Sequence, residues 1–161
     1  MTGDVLGEDK VVLRVLRHKQ TKFVPEGARL PTIDGFHPSQ DDKDEAAANN
    51  HAIRLSVWDW DLTTVEQATA FRRLPEDDPQ SYAFSLSVGA VVAMAAQHRN
   101  ARARAVHCPL PPSDGPGAEG HSGLEGCDRP TNTPRPAMKA FLADLCDLCV
   151  DVSKQSGRRR P

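Results

Sequence analysis

The chain has 161 residues, a formal net charge of −2, 39% hydrophobic residues and only 5% aromatic ones. That length suits one domain with a real core and excludes two comfortable ones. The near-neutral charge gives no general attraction to nucleic acid or an anionic membrane, no apolar run approaches the ~20 residues that span a bilayer, and the acidic start MTGDVLGEDK lacks a signal peptide's basic and apolar regions.

A cytoplasmic location follows as an expectation, with Cys108, Cys127, Cys146 and Cys149 reduced. In chain order, Val11, Leu13 and Val15 share one strand face while Val12, Arg14 and Leu16 share the other, so residues 10–17 read as a strand covered on both sides. The proline- and glycine-bearing stretch HKQTKFVPEGARLPTIDGFHP reads as a long connection in which residues 21–24 can pair back as a short strand. SQDDKDEAAANN, over residues 39–50, is polar and acidic and reads as a mobile loop.

The most informative stretch is HAIRLSVWDWDLTTVEQATAF, residues 51–71. Ile53, Leu55 and Val57 alternate with Arg54, Ser56 and Trp58, the two-residue period of a strand over 52–58. Aspartate is disfavoured in strands, so Asp59 and Asp61 end it. Thr63 followed by Glu66 fits a capping box, and Val65, Ala68 and Phe71 recur at helical spacing, giving a helix over 63–73.

Asp77-Asp78-Pro79 is a helix-start signal, and Phe84, Val88, Val91, Val92 and Ala95 fall on one helical face. Tyr82, Phe84, Leu86 and Val88 also alternate as a strand would, but the start signal and the length favour a helix over 79–98, ending near Asn100. Residues 102–107 read as an edge strand with outward arginines. The glycine- and proline-rich stretch 113–136 is loop, with HSGLEG its one candidate strand. A final helix over 134–153 carries a stripe of Met138, Phe141, Leu142, Leu145, Leu148, Cys149 and Val152. The expected fold is α+β: one small domain spanning 1–161, with a sheet of three to four strands against about three helices and flexible segments at 1–8, 39–50, 113–132 and 155–161.

Asp59-Trp60-Asp61-Leu62-Thr63, directly after a hydrophobic strand, resembles the first motif of the haloacid-dehalogenase-like phosphohydrolases. The resemblance implies Asp59 as nucleophile, Asp61 as acid and base, Thr63 as a supporting hydroxyl, and magnesium held between carboxylates and substrate. It covers five residues, Leu62 stands where the family has glycine, and no late acidic pair follows an alternating strand–helix series. Arg102 and His107 have a spacing that resembles the motif of the HEPN ribonucleases, where both residues lie on a helix. Cys146 and Cys149 form a single CxxC, a weak zinc signature that a second pair would strengthen; their place in the apolar stripe suits two core thiols.

Trp58 and Trp60 lie opposite the aliphatic face of their strand, with Arg54 beside them. Left open, such a face would anchor a partner or a second copy; closed by a helix, it would be core. With no complete catalytic constellation in view, the leading expectation is a non-catalytic interaction protein or accessory subunit, self-associating or bound to a protein partner through Trp58, Trp60 and Arg54. It needs no cofactor. The rivals are a magnesium-dependent phosphohydrolase using Asp59, Asp61 and Thr63, and a zinc-stabilised domain using Cys146 and Cys149.

Overall fold

The structure is a computed structural model that describes residues 3–25 and 27–159. Its framework starts at β1 (Val11–Arg17), which is covered on both sides: Val12 and Leu16 enter one apolar cluster, Leu13 and Val15 another. Arg14 is the single charge inside this strand. A hairpin of β2 (Thr21–Phe23) and β3 (Arg29–Pro31) follows and pairs with itself instead of returning to the main sheet.

Residues 40–49 form α1 (Gln40–Asn49), where the sequence suggested a loop. A capping box explains it: the Ser39 hydroxyl accepts from the Asp42 N–H while the Asp42 carboxylate accepts from the Ser39 N–H. Only Ala46 of this helix is buried, so it has almost no apolar stripe by which to be read.

Strand β4 (Arg54–Asp59) alternates as expected, with Leu55 and Val57 in the main core. The next helix, α2 (Val65–Phe71), starts one residue later than the Thr63 cap implied. Thr64 and Gln67 make the capping box, which leaves Thr63 free for another contact.

The largest departure lies between 79 and 98. Residues Ser81–Ser87 form β5, and only Val88–Gln97 form helix α3. The Asp77-Asp78-Pro79 signal serves a turn instead: the buried Asp78 carboxylate accepts from the Lys19 N–H. β5 pairs with β1 over its whole length, Val11↔Ser87 to Arg17↔Ser81, placing Phe84 and Leu86 in the main core. Ser87 then caps α3. At that helix's C-terminal end Arg99, not Asn100, is left-handed.

β6 (Arg104–His107) and β7 (His121–Glu125) complete the sheet before α4 (Arg135–Leu148) and the two-residue β8 (Val150–Asp151). The main sheet is six-stranded, in the order β6-β7-β4-β1-β5-β8, and every pairing in it is antiparallel. The fold is thus α+β and one domain, with more strands than the three to four expected and four α-helices instead of three. β7 was the candidate strand of a glycine-rich loop, yet it is interior, paired on both edges.

α3 and α4 cover one face of the sheet. α2, the 108–120 loop and the C-terminal segment cover part of the other, around Leu13, Val15, Trp58, Trp60 and Val152. Residues 3–6 bond along β6, and residues 157–159 bond to Trp60 and Val65, so described parts of two segments expected to be flexible are tied to the sheet. Residues 1, 2, 160 and 161 of those segments lie outside the described residues. No helix among the described residues is long and apolar enough to cross a membrane.

Phe84 anchors β5 in the main core. Phe84→Ala should cost about 3–5 kcal/mol in urea unfolding, because the ring is fully buried between sheet and helices. Phe23→Ala, at a side chain 67% exposed, should stay within about 0.5 kcal/mol.

Candidate functional site

The acidic turn after β4 is built by its own carboxylate. Asp59 Oδ1 accepts from the Asp61 N–H at 3.0 Å, and the Asp59 carbonyl accepts from Leu62 and Thr63, closing an Asx turn. Lys10 Nζ sits 3.3 Å from Asp59 and 3.1 Å from Asp61. The two acids therefore converge on an ammonium group instead of on an open cleft. The Lys10 pKa is raised, chiefly by the hydrogen bond to Asp61.

Thr63 has no exposed surface, and its hydroxyl donates to the Gly117 carbonyl at 2.8 Å. Gly120 packs so closely on that hydroxyl that a Cβ there would collide with it. Thr63 thus pins the 117–120 loop, and that loop leads directly into His121.

The indoles are not an open face. Trp58 is 5% exposed and Trp60 6%. Trp58 stacks on Phe71 of α2 with centroids 4.5 Å apart, and Trp60 Nε1 donates to the Gly157 carbonyl at 3.0 Å. Of the two alternatives the sequence leaves open for Trp58 and Trp60, an exposed anchor face or a covered core, the indoles take the second. Arg54 is committed as well: with Arg104 it holds the buried Glu125 carboxylate, at 2.9 and 2.7 Å.

Cys146 and Cys149 stand at the C-terminal end of α4, both buried, and all four cysteines are free thiols. Burial pushes the Cys127 thiol up to about 12 and Cys146 up to about 11, and raises Cys149 too. Such thiols are poor nucleophiles. No group of three or more His, Cys, Asp or Glu among the described residues could hold a metal ion. Arg102 lies in a turn and bonds Asp128 at 3.0 Å, whereas His107 lies on β6.

What the structure does build is a cleft on the partly covered face. β1 and β4 pair only at Val12↔Asp59 and Leu13↔Trp58. Beyond that point Arg14 bridges them: Nη1 donates to the Ser56 carbonyl at 2.9 Å, while Nε and Nη2 donate to the Gly35 carbonyl at 3.1 and 2.8 Å. Alongside opens a hollow of about 290 Å³, lined by Arg14, Arg72, Arg73, Trp58, Phe71 and His121. A second of about 340 Å³ is lined by Glu45, Asn49, His51, Arg54 and Cys108. Ser56, Leu110 and His121 line both.

Among the described residues no carboxylate lies within ion-pairing distance of Arg14, Arg72 or Arg73. Burial, followed by the like charge of Arg72, pushes Arg14 down to about 10. Burial and then Arg17 lower Arg72. Asp42 opposes both shifts through its field.

At the junction of the hollows, His121 Nε2 lies 3.1 Å from Ser56 Oγ. His121 Nδ1 lies 2.9 Å from the Cys108 carbonyl, an acceptor, so Nδ1 carries the proton and Nε2 presents its lone pair to the serine. Trp58 meets the imidazole edge-on, with centroids 4.9 Å apart, which fixes its plane. Burial lowers the His121 pKa, against a smaller upward pull from the Cys108 carbonyl, so the neutral ring prevails at neutral pH. Ser56 is exposed, and Gly123 opposite it places no side chain over the strand beyond the stem of Arg54.

Sequence reasoning missed this pair. The residues are 65 positions apart, and only the register Trp58↔His121 brings them together. Comparisons with protein-family models, curated proteins and solved structures find no match to the chain.

Two stability measurements test this geometry. Thr63→Val should cost about 1 kcal/mol, since it removes one of the two hydrogen bonds to the buried Gly117 carbonyl and leaves the Gly120 N–H as its donor. Glu125 has its pKa lowered from 4.5: burial alone would raise it, but the hydrogen bonds and charges of Arg104 and Arg54 outweigh burial. A depressed carboxyl contributes stability above its ordinary pKa and loses it as pH falls through the folded value. The gap between parent and Glu125→Gln in thermal unfolding should therefore be full at neutral pH and close below about 4.5.

Proposed function

We propose that the chain binds a small organic anion in the cleft beside β1 and β4. The observation that carries this reading is Arg14, a half-buried guanidinium bonded only to backbone carbonyls and facing a hollow it shares with Arg72 and Arg73. Like charges gathered without acids in partly desolvated surroundings are costly, and an incoming anion relieves that cost. Arginine suits the task because its planar fork meets a carboxylate or phosphate with two parallel hydrogen bonds.

The hollow is also amphipathic. Trp58 and Phe71 supply a stacked aromatic wall, and Leu110 adds an aliphatic one. A ligand with a flat or apolar body and a charged end fits this lining, as small-molecule sites combine apolar walls with a few placed polar groups. About 290 Å³ suits a compact molecule, not a polymer. Asp59 and Asp61 take no part in the reading because Lys10 neutralises them on another side of the turn.

Thermal shift and calorimetry with benzoate, phenyl phosphate and benzyl alcohol test the proposal. The two anions should stabilise the protein and the neutral alcohol should not. At a concentration about one hundred times Kd the gain should be about 2.7 kcal/mol. Arg73→Ala, at an exposed residue, should weaken binding about tenfold without lowering the melting temperature. Equal shifts from benzoate and benzyl alcohol would sink the reading.

A further inference from the structure

We propose that Ser56 and His121 form a nucleophile–base dyad that hydrolyses esters bearing a negatively charged group, the charged portion seated among Arg14, Arg72 and Arg73. The proposal rests on the anion-binding reading for its class of substrate and on separate geometry for its chemistry. That geometry has three parts. Ser56 Oγ and His121 Nε2 are 3.1 Å apart, the reach of a nucleophile and its base. The second ring nitrogen is held 2.9 Å from the Cys108 carbonyl, which selects the tautomer a base needs. The pair also stands where the two hollows meet, so a scissile bond placed over Ser56 has room for a group on each side.

In the step proposed, Ser56 Oγ bonds to the acyl carbon as its proton passes to His121 Nε2. Collapse of the tetrahedral intermediate breaks the bond to the alcohol oxygen, which leaves with that proton. Water then adds to the acyl carbon and its proton passes to Nε2. When the acid departs, the proton returns to Ser56 Oγ. Arg14, bonded to the Ser56 carbonyl and without a carboxylate partner, sets a positive potential beside the place where the oxyanion develops. The lowered pKa of His121 keeps the imidazole ready to accept at neutral pH.

The probes are mono-4-nitrophenyl succinate, its uncharged counterpart 4-nitrophenyl butyrate, and a fluorophosphonate, with adducts located by mass spectrometry. The expected result is nitrophenol release with an acyl or phosphonyl adduct on Ser56. The adduct should be absent in Ser56→Ala and should form about 10²-fold or more slowly in His121→Gln. Circular dichroism and melting temperature establish that both variants are folded. Because Ser56 is exposed, Ser56→Ala retains the fold even if His121→Gln does not. The rate should rise to a plateau as His121 loses its proton, below the ordinary imidazole value of 6.5. Glu45, His51, Arg54, Arg14, Arg72, Arg73 and Cys108 face the same hollows, and the downward shift comes from burial, opposed by the Cys108 carbonyl and then by the charge of Glu45. No adduct on Ser56, or one formed equally fast in His121→Gln, overturns the dyad. A preference for succinate over butyrate that Arg73→Ala removes ties the dyad to the anion site. Equal rates for the two esters with Ser56 still labelled overturn the anion reading and leave the dyad standing.

Discussion

The architecture of the cleft depends on one interruption in the sheet. β1 and β4 run together for two residue pairs and then part, and the guanidinium of Arg14 takes over where the ladder stops. A separated pair of strands leaves backbone carbonyls without donors, which is costly in an interior. Arg14 offers several donors from one rigid plane, so it satisfies Ser56 and Gly35 together and spans the gap. The same plane lies over the ring of Phe36, 5.9 Å from its centroid, which joins the bridge to the main core. A hydrophobic residue there would pack, but it would leave those carbonyls unpaired.

From that bridge the surrounding pieces follow in sequence. The opened strand presents Ser56 to solvent while Leu55 and Val57 stay in the core. The register with β7 sets His121 diagonally across from it, and Thr63 fixes the loop from which His121 emerges. Trp58, flanked by Phe71 and His121, transmits the position of α2 to the imidazole through ring contacts. A buried carboxylate gripped by two arginines lies two residue pairs further along the same strands, at Glu125. Compensated charge and uncompensated charge thus sit on one face, and only the second lies against the aromatic hollow. Local rules are most often broken where a protein does something besides fold.

Much of the frame was legible. The double-sided apolarity of β1, the alternation of β4 and the stripe of α4 each report burial through spacing alone. β5 was not legible because Tyr82, Phe84 and Leu86 run directly into the apolar Val88–Gln97 helix, so two periods overlap in one window. α1 was hidden by its lack of apolar residues, whereas β7 was visible as HSGLEG and only its interior place in the sheet was not. Arg14 was legible only as one residue of a strand covered on both sides, and its role required knowing where β4 diverges. Ser56 and His121 left no local trace, since a pair made by register has no sequence spacing to recognise.

The chain's last described residues reach back to where β4 ends. Gly157 accepts hydrogen bonds from both Val65 and the Trp60 indole, Glu66 accepts from the Gly157 N–H, and the Arg159 side chain grips the Asp9 carbonyl. On the ribosome, α2 has no strap until residue 157 has cleared the exit tunnel, although the helix itself is made long before. The cleft wall is therefore secured only after every residue of the site has been made, and a polypeptide stalled before residue 157 carries all of those residues yet lacks their enclosure.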